Sequence, residues 1–284
     1  MEERLNLRIT INPNAGFCHG VKNAIRLAEE LILEGREVYC VGKIVHNAEE
    51  VKRLEQLGLK TIAKEQLSGL HGKTILFRAH GEPPATYVMA ETNGNTLVDA
   101  SCRVVLKLQD RIRKSHENGE KVYVYGDPDH PETIALIAQT GDAAIAFNDL
   151  AQLDFNSLPE EITLYSQTTK SLAAFYEIAD RIQKHGIRVN LNDTVCRQVH
   201  NREAKLTAFC KKFDKNVFVA GKESSNGKVL FNICKAANEN THFVSGLAEL
   251  KKEWFSAGDS VGISGATSTP IWQMELLKTE LEKW

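Results

Sequence analysis

A threefold internal repeat constrains this chain more than any other feature. Three segments read alike: Glu-Val-Tyr-Cys-Val-Gly (37–42), Lys-Val-Tyr-Val-Tyr-Gly (121–126) and Asn-Val-Phe-Val-Ala-Gly (216–221). Each is a short run of β-branched and aromatic residues ended by glycine, the pattern of a buried strand. A cysteine precedes each glycine at a near-constant distance. Cys18 lies 24 positions before Gly42, Cys102 lies 24 before Gly126, and Cys196 lies 25 before Gly221. Between cysteine and strand, apolar residues recur at helical spacing. The expected faces are Val21, Ile25, Ala28 and Leu31, then Val104, Leu108 and Ile112, then Val199, Leu206 and Phe209. Gly35, Gly119 and the stretch Asp214-Lys215-Asn216 are the expected helix stops.

Beyond each glycine the copies still match. A polar cluster follows: His46-Asn47, His130-Pro131-Glu132 and Ser224-Ser225-Asn226, with His46, His130 and Ser224 each 28 residues after their cysteine. Then come a helical pattern, a short strand, a short helix and a last strand at 74–78, 162–165 and 260–263. That strand runs into Ala79-His80-Gly81, Ser166-Gln167-Thr168-Thr169 and Gly265-Ala266-Thr267-Ser268. The class is therefore α/β, in three units of about 90 residues: 1–102, 103–195 and 196–284. Strands alternating with helices imply parallel sheets with right-handed crossovers, and ligands gather at the carboxyl ends of such strands. The expected architecture is a three-lobed, pseudo-threefold assembly with cysteines and polar clusters facing a common centre. Gly42, Gly126 and Gly221 are expected to permit a sharp strand exit and close approach of a ligand.

Composition excludes several classes. Net charge is -2 and no Lys/Arg block is dense enough for a nucleic-acid or membrane-surface stripe. No apolar run approaches the roughly 18–20 residues that span a bilayer. The start, Met1-Glu2-Glu3-Arg4-Leu5, lacks the features of a secretory signal, so a cytoplasmic location is the default. Neither a P-loop nor a strand-linked GxGxxG occurs, which disfavours a nucleotide-binding module. Six cysteines are present without a CxxC pair, against a zinc finger or a thioredoxin-like site. Cys40, Cys210 and Cys234 fall inside strand or helix patterns and read as small buried hydrophobes. Cys18, Cys102 and Cys196 each enter a helix, whose dipole favours the thiolate. Three converging thiolates need a cation or cluster to neutralise them. Catalytic zinc usually takes histidine among three protein ligands, and a [4Fe-4S] cluster normally takes four cysteines. With three, one iron keeps an open site.

At this point the chain resembles a known family, the LytB/IspH family of 4-hydroxy-3-methylbut-2-enyl diphosphate reductases. The likeness covers essentially the whole sequence. It rests on Gly16-Phe17-Cys18-His19-Gly20-Val21, Val45-His46-Asn47, Ala79-His80-Gly81 and Asp99-Ala100-Ser101-Cys102. It continues through His130-Pro131-Glu132, Gln167-Thr168-Thr169, Asp193-Thr194-Val195-Cys196, Ser224-Ser225-Asn226 and Gly265-Ala266-Thr267-Ser268. The resemblance implies a two-electron reductive dehydroxylation yielding isopentenyl and dimethylallyl diphosphate, the last step of the non-mevalonate isoprenoid pathway. It implies a central [4Fe-4S] cluster on Cys18, Cys102 and Cys196 with one open iron, and an external donor of ferredoxin or flavodoxin type. His46, His80, His130, Thr168, Ser224, Ser225, Asn226 and Ser268 match substrate-binding residues. Glu132, with Thr168 and His130, matches the proton-handling set. A monomer without nucleic-acid or membrane partners is expected. A hydratase of the aconitase type, using the same open iron without net electron transfer, is the alternative. Arg103, Asp129 and the pair Gly227-Lys228 depart from the commoner family pattern. An arginine beside Cys102 would either tune a cluster or point away.

Overall fold

The computed structural model describes residues 4–284; residues 1–3, part of the Met1–Leu5 start that lacks secretory-signal features, lie outside the described residues. The chain begins with β1 (Arg8–Ile11), α1 (His19–Leu33), β2 (Val38–Val41), α2 (Ala48–Leu57), β3 (Lys60–Ile62) and β4 (Thr74–Phe77). It continues with α3 (Pro84–Thr92), β5 (Thr96–Asp99), α4 (Arg103–Glu117), β6 (Val122–Tyr125), α5 (Pro131–Ile137), β7 (Ile145–Phe147) and β8 (Glu161–Ser166). Last come α6 (Leu172–Lys184), β9 (Arg188–Leu191), α7 (Arg197–Cys210), β10 (Lys215–Val219), α8 (Ser225–Ala237), β11 (Thr241–Val244), β12 (Ser260–Gly265) and α9 (Ile271–Leu281).

These strands form three four-stranded, all-parallel sheets, ordered β3-β2-β4-β5, β7-β6-β8-β9 and β11-β10-β12-β1. The order is the same each time: second strand, first strand, third strand, fourth strand. The chain is thus an α/β protein of three parallel-sheet units, as its repeat predicts. The two central strands of each sheet are the glycine-ended run and the later one, and they are almost wholly buried. Burial on both faces explains their continuous apolar reading.

The fourth strands are a finding. β5, β9 and β1 are half-exposed edge strands; Arg-Ile-Thr-Ile in β1 and Arg-Val-Asn-Leu in β9 alternate polar and apolar residues, whereas Thr-Leu-Val-Asp in β5 does not. The N-terminal strand, at the start of the expected unit 1–102, joins a different sheet from the rest of that unit. Arg8–Ile11 pairs in register with Ser260–Ile263, so β1 completes the third sheet rather than the first. By contact, the described residues form two compact units. One comprises residues 4–22, 45–54 and 197–284 and holds the third sheet; the other comprises residues 23–44 and 55–196 and holds the first two. In the former, Val217, Val219, Val261, Ile263, Met274 and Leu277 form one apolar core. In the latter, Leu164, Phe147, Phe175 and Ile182 pack on one face of the second sheet, and Ile75, Phe77 and Leu67 on the first.

Helix faces follow the expected spacing with one shift. Val21, Ile25, Ala28 and Leu31 are buried in α1, and Val199, Leu206 and Phe209 in α7. In α4, however, Val104 is 42% exposed and Val105 only 4%. The buried face is Val105, Leu108, Ile112 and Ser115, whose spacing of three and four residues follows the helical period more closely. We expect Val105→Ala to lower stability by about 2 kcal/mol and Val104→Ala by less than ~0.5 kcal/mol, read from denaturant midpoints. The stop of α7 also differs from expectation. Lys215 and Asn216 lie in β10, and the Asn216 amide donates back to the Cys210 carbonyl at 2.9 Å, satisfying the helix end from within the strand. No helix among the described residues is long and apolar enough to cross a membrane.

Candidate active site

The predicted site residues share one topological place. In every sheet they follow the carboxyl end of a strand. His46, His130 and Ser224 each stand five residues beyond β2, β6 and β10. His80 and Ser268 each stand three beyond β4 and β12, while Thr168 stands two beyond β8. Cys18, Cys102 and Cys196 follow the edge strands β1, β5 and β9 and each directly precedes its helix.

The three cysteines are held alike. The backbone N–H of Cys18 donates to the Thr267 carbonyl at 3.1 Å, that of Cys102 to Ala79 at 3.0 Å, and that of Cys196 to Thr168 at 2.8 Å. In each case the acceptor is the second residue beyond a central strand. All three cysteines are half-buried, whereas Cys40, Cys210 and Cys234 are fully buried in core positions. Local turns fix the approaches. Asp99 accepts the Ser101 N–H at 2.8 Å ahead of Cys102, and the Thr194 hydroxyl donates to the Ser166 carbonyl at 2.8 Å ahead of Cys196. Arg202 of α7 donates to the carbonyls of Gly16 (2.5 Å) and Phe17 (3.2 Å), clamping the loop that carries Cys18. Nothing in the repeat pointed to Arg202, because its equivalents in the other two helices are apolar.

The polar clusters begin helices, and this is why their residue types recur. Asn47 Oδ1 accepts the Glu50 N–H at 3.1 Å, His130 Nδ1 accepts the Glu132 N–H at 3.1 Å, and Ser224 Oγ accepts the Gly227 N–H at 3.0 Å. Each satisfies a donor the helix itself leaves unpaired. A backbone N–H can only donate, so His130 Nδ1 carries no proton and the ring is the neutral Nε2–H tautomer. The His130 ring meets that of His80 edge to face, with centroids 5.4 Å apart.

Glu132 is buried on α5. Its Oε1 accepts the Thr168 N–H at 2.6 Å and its Oε2 bonds the Thr168 hydroxyl at 2.7 Å. Burial pushes this carboxyl above the usual carboxylate range, and the two Thr168 bonds only partly oppose the shift. The Thr168 carbonyl in turn receives the Cys196 N–H. Carboxyl, hydroxyl and cysteine therefore form one connected line. Oε1 faces a donor that cannot accept, so a proton carried by this carboxyl would sit on Oε2, beside the Thr168 hydroxyl.

On the third sheet, Ser224 Oγ and Ser268 Oγ are 3.0 Å apart and both residues are buried. Asn226 is buried beside them and Ser225 is half-buried. The strand-end glycines make room for protein rather than for ligand. A Cβ on Gly221 would overlap the His46 carbonyl oxygen, and one on Gly42 would overlap the Arg78 guanidinium. We expect Gly221→Ala to displace His46 and to cost about 1–3 kcal/mol of stability, measurable by thermal unfolding. Of the departures, Arg103, Asp129 and Lys228 are exposed to solvent, and Gly227 is buried in α8.

Residues 9–282 match the family described as LytB protein. The chain belongs to the LytB family. LytB-family relatives align over nearly their whole length. A protein named 4-hydroxy-3-methylbut-2-enyl diphosphate reductase from Chloroherpeton thalassium is 42% identical over 95% of this chain and 94% of its own. One of the same name from Porphyromonas gingivalis is 43% identical over 96% and 98%. The LytB chain also superposes on a solved structure of (E)-4-hydroxy-3-methyl-but-2-enyl diphosphate reductase, the terminal enzyme of the non-mevalonate pathway. That match has a TM-score of 0.73 and 30% identity over 98% of this chain and 99% of the other. A Plasmodium falciparum reductase structure shares the LytB fold with a TM-score of 0.84 at 24% identity, over 98% and 88% of the chains.

Proposed function

We propose that this chain reduces 4-hydroxy-3-methylbut-2-enyl diphosphate to isopentenyl and dimethylallyl diphosphate. The observation that carries the reading is the buried line Glu132–Thr168–Cys196, in a family whose members bear that reductase name. The reaction breaks the allylic C–O bond. Two electrons enter the allyl unit, one proton leaves with the hydroxyl as water, and a second proton completes the product. A reductase of this kind therefore needs an acid in a dry place, donors for a diphosphate, and a redox group.

Cys18, Cys102 and Cys196 would hold a [4Fe-4S] cluster. The donors suit it: three soft sulfurs, each half-buried at an equivalent strand-to-helix exit, with backbone amides already engaged. When bound, the cluster supplies electrons and a Lewis-acid iron left open by the missing fourth ligand. Membership of the LytB family implies an external electron donor of ferredoxin or flavodoxin type.

The protein's own groups supply the rest. Glu132, whose pKa burial raises, gives a proton from Oε2 through the Thr168 hydroxyl, which accepts one proton while passing on its own. His130 presents an Nε2–H donor fixed by its cap bond. His46, His80, Ser224, Ser225, Asn226 and Ser268 bind the diphosphate as neutral donors at strand carboxyl ends and helix starts. Neutral donors suit a chain whose net charge is -2 and which lacks a basic field. The hydratase alternative has no support among relatives that are named reductases.

Anaerobically purified protein is expected to contain iron and sulfide in stoichiometric amounts. It is expected to turn over the hydroxylated diphosphate with dithionite-reduced viologen. Stoichiometric zinc without sulfide, or an inert protein with its cluster intact, would overturn the proposal.

A further inference from the structure

Thr267 is assigned no role by the repeat or by the resemblance, yet its hydrogen bonds copy those of Thr168. The Thr168 N–H and hydroxyl both go to the Glu132 carboxyl, and its carbonyl receives the Cys196 N–H. The Thr267 N–H and hydroxyl both go to Asn226 Oδ1, at 3.0 and 2.8 Å, and its carbonyl receives the Cys18 N–H at 3.1 Å. Both threonines stand two residues beyond a central strand, and Glu132 and Asn226 each stand two beyond a helix cap. The first sheet has Ala79 at the matching place, with no hydroxyl.

From this correspondence we infer that Thr267 is a positioning residue that sets which way the Asn226 amide faces. A backbone N–H can only donate, so the atom it meets must be the amide oxygen. With Oδ1 taken twice by Thr267, Nδ2 is turned to the opposite side. Asn226 is 3% exposed, and Nδ2 has no hydrogen-bond partner among the described residues. A buried amide N–H₂ left unpaired carries its full desolvation penalty. An anion accepting from Nδ2 removes that penalty, and Ser224 and Ser268, which are bonded to each other, are buried in the same unit. The same three-part device thus serves two ends. With a glutamate it holds a carboxyl; with an asparagine it presents a donor that carries no charge to repel an anion.

The inference rests on the diphosphate reading above, and the test separates the two. The probe is inorganic diphosphate titrated into cluster-loaded protein, alongside iron content and the visible spectrum. Thr267→Val keeps the backbone N–H and the carbonyl that holds Cys18, but loses the hydroxyl. It is expected to weaken diphosphate binding by about five- to tenfold, with iron content and spectrum unchanged. Thr267→Ser, which keeps the hydroxyl, is expected to stay within about twofold of the parent and serves if the valine variant folds poorly. Equal binding by parent and Thr267→Val overturns the inference and leaves the diphosphate reading standing. So does a serine variant as weak as the valine one. Iron and diphosphate binding falling together in both variants would mark a merely structural residue and overturn it as well. A parent that binds no diphosphate removes the substrate reading and the inference with it.

Discussion

Glu132→Gln is expected to lower kcat by roughly 10²–10⁴-fold while leaving substrate binding close to that of the parent. Glutamine fills the same volume and keeps both links to Thr168: its oxygen accepts the Thr168 N–H, and its amide donates to the hydroxyl, which can also accept. What disappears is the transferable proton. The variant should therefore bind and hold the substrate without completing it. The pH profile gives a second readout. Burial raises the Glu132 pKa, so the acid form persists to higher pH than for an ordinary carboxyl. Parent kcat should fall as pH rises through that raised value, and the fall should be absent in the glutamine variant. Stability has the same sign. A raised folded pKa stabilises the protein fully below the ordinary carboxylate range, and this contribution is lost as pH rises through the folded value. Glu132→Gln should therefore be more resistant to denaturant than the parent at alkaline pH, with the difference closing at acid pH. Near-normal turnover in the variant would remove Glu132 from the mechanism.

Single serine replacements of Cys18, Cys102 or Cys196 should abolish cluster retention and lower turnover by more than about a hundredfold. A hydroxyl is a hard, poorly ionised donor and does not substitute for a thiolate on iron. The other three cysteines provide the contrast. Cys40, Cys210 and Cys234 are fully buried; burial pushes the Cys40 thiol up to about 12, and the hydrogen bond with Cys210, then burial, raises that of Cys234. They are inert thiols packed in cores, so changing them to serine should cost stability and leave iron per folded protein unchanged. Iron and sulfide assays on all six variants decide the matter. Loss of iron in Cys210→Ser but not in Cys102→Ser would overturn the ligand assignment.

The legible part of this protein was the part written in local pattern. Central strands are buried on both faces, so β2, β6 and β10 read as continuous apolar runs. The polar clusters after them were visible because a helix start needs a side-chain acceptor, which restricts Asn47, His130 and Ser224 to capping types. Counting from glycine to cysteine then placed Cys18, Cys102 and Cys196 without any structure. The register of α4 failed by one residue because adjacent valines, Val104 and Val105, satisfy the pattern almost equally.

By itself, then, the sequence determined the class and the repeat, since the strand runs, the helix starts and their spacing follow from neighbours along the chain; the site residues it offered rest on the family resemblance. Tertiary structure alone decided three things. It closed the third sheet with β1, pairing residues some 250 positions apart, a choice no local propensity encodes. It placed β5 and β9 as edge strands, each hydrogen-bonded to a single neighbour, β4 and β8. It also tied Glu132 to Thr168 and Asn226 to Thr267, giving two look-alike threonines opposite partners, one acid and one neutral. The physical reason is common to all three. Strand pairing and buried hydrogen bonds depend on which groups meet across the fold, and that is settled only when the sheets are assembled.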